Sequence, residues 1–415
     1  MRIKSAMGLL VAAISIGAML SCVSSSSGGA TGTGFVWIAT EGDQQVRAFN
    51  INSSSGSVSQ VGSARATGVS PVALALTPDG KSLFLANSSD GTVTSYAVAS
   101  DGSLGTGTST QTSTPCTLPP PPCPGAPPPP SCGALPVALA IDPAGKFLFV
   151  ASQGTFGLCD SAGSSSSGII STYAISGTGL TFSSALETES VSDLTGTGPS
   201  AVIASPTGNF LYVANQFSNT VASFAYDPSS GALSPLNTYL AGTNPSALAF
   251  SRCAGITQAT AVCPAADGDN LFVANSGSDN VSVFSACIQT STCPAADGRL
   301  VQVATSPFAA GLSPSSLFVD PVVNFVYAVN SKGNNLTQFR LSSATGVLTP
   351  LTPAAVNTGQ NPFGGGITSD GTHVVVSNNN GSSMSVFSVG PGGKLSPAST
   401  PSVALPGQPS AILVR

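Results

Sequence analysis

One short apolar segment returns along the chain at a fixed spacing. Between Pro199 and Asn215 it reads LYVAN, and related copies read LFLAN, LFVAS, LFVAN, VYAVN and VVVSN. In all but one unit a proline precedes the last residue of the segment by 16 positions, and in nearly every unit an aromatic residue follows by nine. Uninterrupted units repeat every 46 to 48 residues. This period is typical of a four-stranded propeller blade, so the repeat predicts an all-β fold.

The repeat array contains six complete units and two fragments. The segment 409–415 is a first strand with nothing after it, and the segment 34–61 supplies a second, third and fourth strand without a first. We expect these two segments to pair, which closes a ring of seven four-stranded antiparallel blades and removes exposed sheet edges. The complete units begin at Pro71, Pro136, Pro199, Pro245, Pro314 and Pro362.

The LYVAN-like segment is predicted to be scaffold and not a ligand site. It is apolar throughout instead of alternating, which is expected of a strand that neighbouring blades cover on both sides. Its terminal Asn is expected to cap the following turn through its side chain. The turns TPDG, DPAG and SPTG join first to second strands, with Pro and Gly where a tight turn needs them.

The N-terminus predicts export. Arg2 and Lys4 precede an apolar run of 15 residues from Ala6 to Leu20, which is short for a membrane anchor. Residues 1–21 therefore form a predicted signal peptide, and Ser21 before Cys22 resembles a bacterial lipoprotein processing site. We expect lipidation of Cys22, a Ser/Gly tether at 22–33 and one propeller domain at 34–415. Ordinary cleavage nearby is the alternative for the leader.

This leader implies the cell envelope as the destination of the mature chain. The outer membrane is the expected site, with a periplasmic or extracellular chain as the alternatives. Membrane contact is expected through the N-terminal lipid only. We expect a monomer whose partner is an unidentified protein or a small-molecule ligand at the channel face.

Charge and motifs exclude several functions. Removal of Arg2 and Lys4 leaves ten basic residues against 17 acidic ones, a net charge of −7, and no basic patch indicates nucleic acid. Phosphate loops, dinucleotide loops and a Gly-x-Ser-x-Gly motif are absent from the sequence. The Asp and Asn residues of AADGDN, AADGR and SGSDN are assigned to tight turns, although their oxygens could ligate calcium. We expect no metal and no cofactor.

Nine cysteines are an odd number for an exported chain, and lipidation of Cys22 leaves eight to pair. The strand order places these eight in two groups on opposite faces of the ring. Pairing is expected inside each group, with Cys253 to Cys263 and Cys287 to Cys293 the simplest local bridges and cross-pairs left open. The first group comprises Cys116, Cys123, Cys132 and Cys159; the second comprises Cys253, Cys263, Cys287 and Cys293.

A Pro/Cys-rich insertion at 114–135 interrupts the register. Ten of the 16 residues in PCTLPPPPCPGAPPPP are proline, a composition that favours the stiff, extended polyproline II form. We expect it to be a protease-resistant spacer. A cap on the pore and a partner-binding edge are the alternatives.

The segments PDGKSLFLAN, PAGKFLFVAS and PTGNFLYVAN resemble the repeat of the seven-bladed YVTN-repeat and lactonase-like β-propellers, to which 6-phosphogluconolactonase-type proteins belong. The resemblance covers about residues 35 to 415. It implies the propeller fold strongly. It implies activity only weakly, because the fold hosts lactone hydrolases, lactonising enzymes and non-catalytic surface proteins.

The resemblance also implies where an active site would lie, since active lactonase-like members use His, Arg and Glu around the central channel. Here the candidates are Glu41, in the loop after the second strand of the closing blade, Arg47 on its third strand, and His373. We expect His373 at the surface near a turn. Because these residues form no cluster in the sequence, the expected function is a non-catalytic binding scaffold at the cell envelope. A lactonase-like hydrolase acting in the channel is the alternative.

Overall fold

The computed structural model describes residues 33–112, 134–154, 168–187, 198–251, 269–288, 296–321 and 325–415. In these segments the chain forms 29 β-strands and one short 3-10 helix. The strands up to residue 187 are β1 (Thr33–Thr40), β2 (Gln45–Asn52), β3 (Val58–Ala66), β4 (Pro71–Leu76), β5 (Ser82–Asn87), β6 (Thr92–Ala97), β7 (Thr108–Gln111), β8 (Ala134–Ile141), β9 (Phe147–Gly154), β10 (Gly168–Ser176) and β11 (Gly179–Glu187).

The second half continues the same pattern of short strands. It comprises β12 (Pro199–Ala204), β13 (Phe210–Asn215), β14 (Thr220–Tyr226), β15 (Leu233–Leu240), β16 (Pro245–Phe250), β17 (Asn270–Asn275), β18 (Asn280–Ala286), β19 (Leu300–Gln302), β20 (Phe308–Ala309), β21 (Pro314–Val319), β22 (Phe325–Asn330), β23 (Asn335–Leu341), β24 (Leu348–Asn357), β25 (Pro362–Ile367), β26 (His373–Asn378), β27 (Ser383–Val389), the 3-10 helix Pro391–Gly393, β28 (Leu395–Ala404) and β29 (Pro409–Val414).

These strands form seven separate antiparallel sheets, which confirms the predicted seven-bladed propeller. Blades 1 to 6 begin at β4, β8, β12, β16, β21 and β25, and each runs in chain order from its innermost strand outward. Blade 4 carries β20 as an additional strand beside β18. Blade 7 has the order β29-β1-β2-β3, so its innermost strand comes from the far end of the chain.

The closure of blade 7 follows the predicted pairing. Val36 pairs with Val414, Trp37 with Leu413 and Ile38 with Ile412. Beyond the strand, Phe35 and Arg415 exchange two backbone hydrogen bonds of 2.8 Å. The two fragments therefore complete one sheet, as the repeat count requires.

Packing between blades explains why the second strands lack alternation. All six residues of β5, β13, β17, β22 and β26 are buried, and every cluster of buried apolar side chains draws residues from neighbouring blades. Outermost strands such as β24 are largely exposed. A strand between two covered faces buries its side chains whatever their direction, so apolar residues predominate in it.

The polar atoms of buried aromatic side chains on the second strands also join the blades through hydrogen bonds. Trp37 Nε1 donates to the Gly102 carbonyl at 3.0 Å, and the Tyr212 hydroxyl donates to the Gly298 carbonyl at 2.9 Å. Tyr327 makes the same bond to Gly393 at 2.7 Å. Each aromatic ring therefore fills an interface and has its polar atom satisfied in the next blade.

The strand order gives the ring two different faces. Turns between second and third strands, and the connections between blades, lie on the face that we call upper; the other turns lie on the lower face. The predicted tight turn at Thr77 is on the lower face: Gly80 donates to the Thr77 carbonyl at 2.8 Å and has φ of +73°. Glycine is required there because other residues rarely adopt this conformation.

Candidate functional site

The end of each second strand is held by the Asn of the LYVAN-like segment. In blade 1, Asn87 Nδ2 donates to the hydroxyls of Thr92 at 2.9 Å and Thr94 at 2.8 Å. Its Oδ1 accepts the Gly68 N–H at 3.0 Å. The predicted capping role is thus observed, and it extends to the connection that enters the blade. The same arrangement recurs at Asn275, Asn330 and Asn378.

The residue directly after this position lies beside the innermost strand. Its backbone N–H donates to the carbonyl of the residue that precedes the opening proline, as in Gln216 to Gly198 at 2.8 Å and Glu41 to Gln408 at 3.0 Å. Innermost strands line the channel of a propeller, so these residues surround its upper opening. We call them the mouth ring: Glu41, Ser88, Gln153, Gln216, Ser276, Ser331 and Asn379.

Side chains of the mouth ring reach the next blade at its innermost strand. Gln153 Nε2 donates to the Pro199 carbonyl at 2.8 Å, and Asn379 Nδ2 donates to the Pro409 carbonyl at 2.9 Å. These contacts join adjacent blades around the opening. The Ser276 and Ser331 hydroxyls donate to backbone carbonyls at 3.0 and 2.9 Å, so their oxygens can accept a hydrogen bond from a sugar-like hydroxyl. Each side-chain amide of the ring has a second N–H and an oxygen with which to bind a ligand.

Glu41 is the acidic residue of this ring and lies where the sequence predicts, in the turn after β1. Its side chain is exposed, and its Oε1 accepts a long hydrogen bond of 3.4 Å from the Ser70 hydroxyl. Ser70 in turn accepts from the Ser89 hydroxyl at 2.8 Å. Two hydroxyls of blade 1 thus form a chain that ends at a carboxylate of blade 7.

Arg47, the second candidate, is turned away from the opening. Its guanidinium forms an ion pair with Asp43 and donates to the Thr40 hydroxyl at 2.8 Å, and the residue is only 7% exposed. Burial by itself would raise the pKa of Asp43, but hydrogen bonds from Arg47 and Thr40 outweigh it and lower that pKa. Arg47 therefore positions the turn that carries Glu41.

The sequence register explains why an arginine stands there. Thr40 occupies the position of the capping Asn in blade 7, and Gln45 and Arg47 follow it by the same five and seven residues as Thr92 and Thr94 follow Asn87. Thr40 has no side-chain amide, and Arg47 supplies the missing donors.

The third candidate, His373, corrects the expectation of a surface histidine. It is 3% exposed because Gly56, in a lower-face turn of blade 7, lies against its ring. Its Nδ1 is 2.9 Å from the Thr372 hydroxyl. The residue is at the lower end of β26, whereas Glu41 follows the upper end of β1, so the structure does not bring His373 and Glu41 together.

His373 predicts a pH dependence of stability. Desolvation lowers its pKa, against a smaller opposing effect of the Asp370 charge, so the unfolded chain takes up this proton first. The free energy of unfolding should therefore fall as pH is lowered from about 6.5, the ordinary histidine pKa. Urea unfolding between pH 5 and pH 8 measures it.

The variant His373→Gln is the control for this pH dependence. It should remove the slope in that window and leave the loss of stability below about pH 4, where Asp43 and Asp79, whose pKa values are lowered from 3.8, take up protons. An unchanged slope above pH 5 in the variant would contradict the assignment.

Most of the cysteine predictions concern residues outside the described segments. Cys287 is within them, is buried and is disulfide-bonded. The other seven cysteines of the two groups lie outside the described residues, as do Cys22 and most of the Pro/Cys-rich insertion. The pairings remain predictions.

The described residues contain no group of three or more His, Cys, Asp or Glu side chains that could hold a metal ion. None of their helices is long and apolar enough to cross a membrane.

Sequence reasoning identified Glu41 but missed the other six residues of the mouth ring. Their position directly after the repeated Asn was visible in the alignment of the units. This fixed position could have identified them, because residues at the same place in every blade form a ring around the axis of the propeller.

Comparisons with known proteins place this geometry in a family. The family model described as "Lactonase, 7-bladed beta-propeller" matches residues 29–122, 126–250 and 170–362. The 6-phosphogluconolactonase of Bacillus subtilis is 27% identical over 162 residues, which are 39% of this chain. The match spans 42% of that enzyme, less than half of its length.

Solved structures share the fold over nearly the whole chain. A putative 6-phosphogluconolactonase from Bacteroides fragilis is 18% identical, with a TM-score of 0.69 over 94% of this chain and 100% of that one. The periplasmic gluconolactonase of Pseudomonas aeruginosa is 20% identical, with a TM-score of 0.67 over 92% and 99%.

These matches correct the functional expectation. A non-catalytic binding scaffold was the wrong interpretation, because the family match favours the alternative, a lactonase-like protein. The expectation of a scaffold was based on the sequence, in which the ionisable candidates are scattered and form no cluster. The family model covers most of the chain, and the chain belongs to the seven-bladed β-propeller lactonases.

Proposed function

We propose that this protein hydrolyses a lactone at the mouth ring, with Glu41 as the general base. The observation that carries the proposal is the position of Glu41. It is the carboxylate of a ring otherwise made of Ser, Gln and Asn, in a propeller of the lactonase family. The pair of Asp43 and Arg47 holds the turn from which it projects.

The reaction needs few groups. Glu41 takes a proton from a water molecule as the water oxygen attacks the lactone carbonyl carbon. Amide N–H groups of the mouth ring stabilise the negative charge that develops on the carbonyl oxygen. The ring C–O bond then breaks, and the leaving alkoxide receives the proton held by Glu41. One water is consumed, and one hydroxy acid is released.

The matched variants Glu41→Gln and Glu187→Gln test the base. Glu187 ends β11, the outermost strand of blade 2. Loss of a general base should lower kcat for glucono-1,5-lactone by about 10²- to 10⁴-fold in Glu41→Gln and leave Glu187→Gln unchanged. Acid release in weak buffer, with spontaneous hydrolysis subtracted, measures the rate. Full activity of Glu41→Gln, or no turnover by the native chain, contradicts the proposal.

The destination of the protein belongs to the same proposal. Export through residues 1–21 and lipid attachment at Cys22 are supported by the sequence around the leader. The bridge at Cys287 is consistent with an oxidising compartment, where disulfides persist. Such a protein acts on lactones outside the cytoplasm as an envelope-anchored monomer.

A further inference from the structure

Most basic residues of the described segments lie away from the mouth ring. The sequence has 12, of which Arg2, Lys4 and Arg252 are outside the described segments. Arg47 is paired with Asp43, and Arg65, on the outermost strand of blade 7, donates to the Leu104 carbonyl at 2.7 Å. The basic residues of the lower-face turns and strand ends are Lys81, Lys146, Arg299, Arg340, Lys394 and Arg415.

The remaining basic residue, Lys332, stands exposed in the upper turn of blade 5. It is outnumbered by Glu41, Asp90 and Asp279 of the described upper turns, whereas Asp43 and Arg47 neutralise each other as an ion pair. Asp90 accepts the Val69 N–H at 2.9 Å, and Asp279 accepts the Ser313 N–H at 2.7 Å. These neutral donors fix the carboxylates without cancelling their charge, so the opening has a negative field.

The described part of the upper opening offers few of the groups that bind phosphate. Proteins bind phosphate through arginine forks, lysines or helix N-termini. In the described residues the single helix is the 3-10 turn Pro391–Gly393, which joins third to fourth strand on the lower face. The mouth ring itself offers amides and hydroxyls, which suit uncharged hydroxyls.

An aromatic side chain stands beside these polar groups. Phe217 follows Gln216 of the mouth ring and is 58% exposed. It lies on Gly198, where an added Cβ would be 2.2 Å from Phe217 Cδ2, and Gly198 has φ of +71°. Gly198 directly precedes the innermost strand of blade 3. Because Gly198 has no side chain, the phenyl ring of Phe217 lies against its backbone and exposes a face at the opening. Apolar faces next to a few polar groups are typical of small-molecule sites.

We infer that the mouth ring takes an uncharged, polyhydroxylated lactone, with Phe217 as the platform under the sugar ring, and discriminates against lactones that carry a phosphate. This inference rests on the proposed lactone hydrolysis. The polar ring residues bind hydroxyls, Phe217 covers the C–H face, and the surrounding carboxylates repel a dianion.

Initial rates with glucono-1,5-lactone and with 6-phosphoglucono-1,5-lactone test the substrate class. The full chain should show kcat/KM at least tenfold higher for the uncharged lactone. Added salt should narrow the ratio, because it screens exposed charges. Ser276→Arg, which adds a cation to the ring on blade 4, should shift the ratio at least tenfold toward the phosphorylated lactone.

Two variants of Phe217 test its role as the platform under the sugar ring. Phe217→Ala should raise KM for glucono-1,5-lactone about tenfold at an unchanged melting temperature, and Phe217→Tyr should restore it. Equal or better turnover of the phosphorylated lactone overturns the inference and leaves the proposed hydrolysis standing. An unchanged KM in Phe217→Ala overturns the platform. No turnover of either lactone refutes the proposed function itself.

Discussion

Removal of residues 409–415 is expected to abolish the cooperative folding of the propeller. This segment supplies β29, the innermost strand of blade 7, and all six of its residues are buried. Ile412, Leu413 and Val414 are at most 5% exposed, and burial of each such side chain contributes about 1.5–3 kcal/mol. Their loss is comparable to the whole stability of a typical domain, about 5–15 kcal/mol, and it opens a sheet edge.

Thermal unfolding followed by circular dichroism measures this effect, and the truncated chain should show no cooperative transition or should aggregate. A transferred strand is the control. Arg415 and Phe35 are hydrogen-bonded neighbours, so placing 409–415 before Thr33 through an Asn-Gly turn should rebuild blade 7 and restore the transition. A truncated chain that melts like the native one would show that β29 does not close the ring.

Asn330→Ala is expected to have the second-largest effect. Asn330 is fully buried; its Nδ2 donates to Asn335 Oδ1 at 2.7 Å and Thr337 Oγ1 at 2.8 Å, and its Oδ1 accepts the Gly311 N–H at 3.1 Å. Alanine leaves these groups without their partner, at about 1–3 kcal/mol for each unsatisfied buried group. The free energy of unfolding in urea should fall by about 3 kcal/mol or more.

Two further variants sharpen this prediction. Lys332→Ala changes an exposed residue of the same turn and should alter stability by less than about 0.5 kcal/mol. Gly311→Ala should destabilise, because its Cβ would stand 2.6 Å from Asn330 Nδ2. In the double variant the smaller side chain at 330 removes the two closest contacts of that Cβ, so the combined loss should be less than the sum. Simple additivity would refute the pairing.

The architecture could be predicted well from the sequence because each blade repeats the same strand lengths and turn positions. Spacings of 16 and nine residues around the LYVAN-like segment place a hairpin and a third strand in every unit. The lone strand at 409–415 has no other partner that removes a free edge. Insertions did not disturb these predictions, since they enter loops and leave strand spacing intact.

The candidate site was only partly predictable, because its properties depend on contacts between blades. His373 looks exposed beside its turn in the sequence, and it is buried because Gly56 of another blade lies against it. Arg47 looks available, yet its partners Thr40 and Asp43 occupy it. Glu41 was identifiable because a turn residue next to the innermost strand needs no distant contact to reach the opening.

The capping Asn and the mouth-ring residue after it have different roles: the Asn stabilises the blade, and the next residue faces the opening where a ligand would bind. Asn87, Asn275, Asn330 and Asn378 repeat because each satisfies buried groups in its blade. The following position varies around the ring, with Glu41, Ser88, Gln153, Gln216 and Asn379 among its residues. One blade can therefore change what it presents to a ligand while its neighbours and its own strands stay intact. Single substitutions at the mouth ring can change the substrate of such a propeller while the capping Asn residues continue to hold its blades.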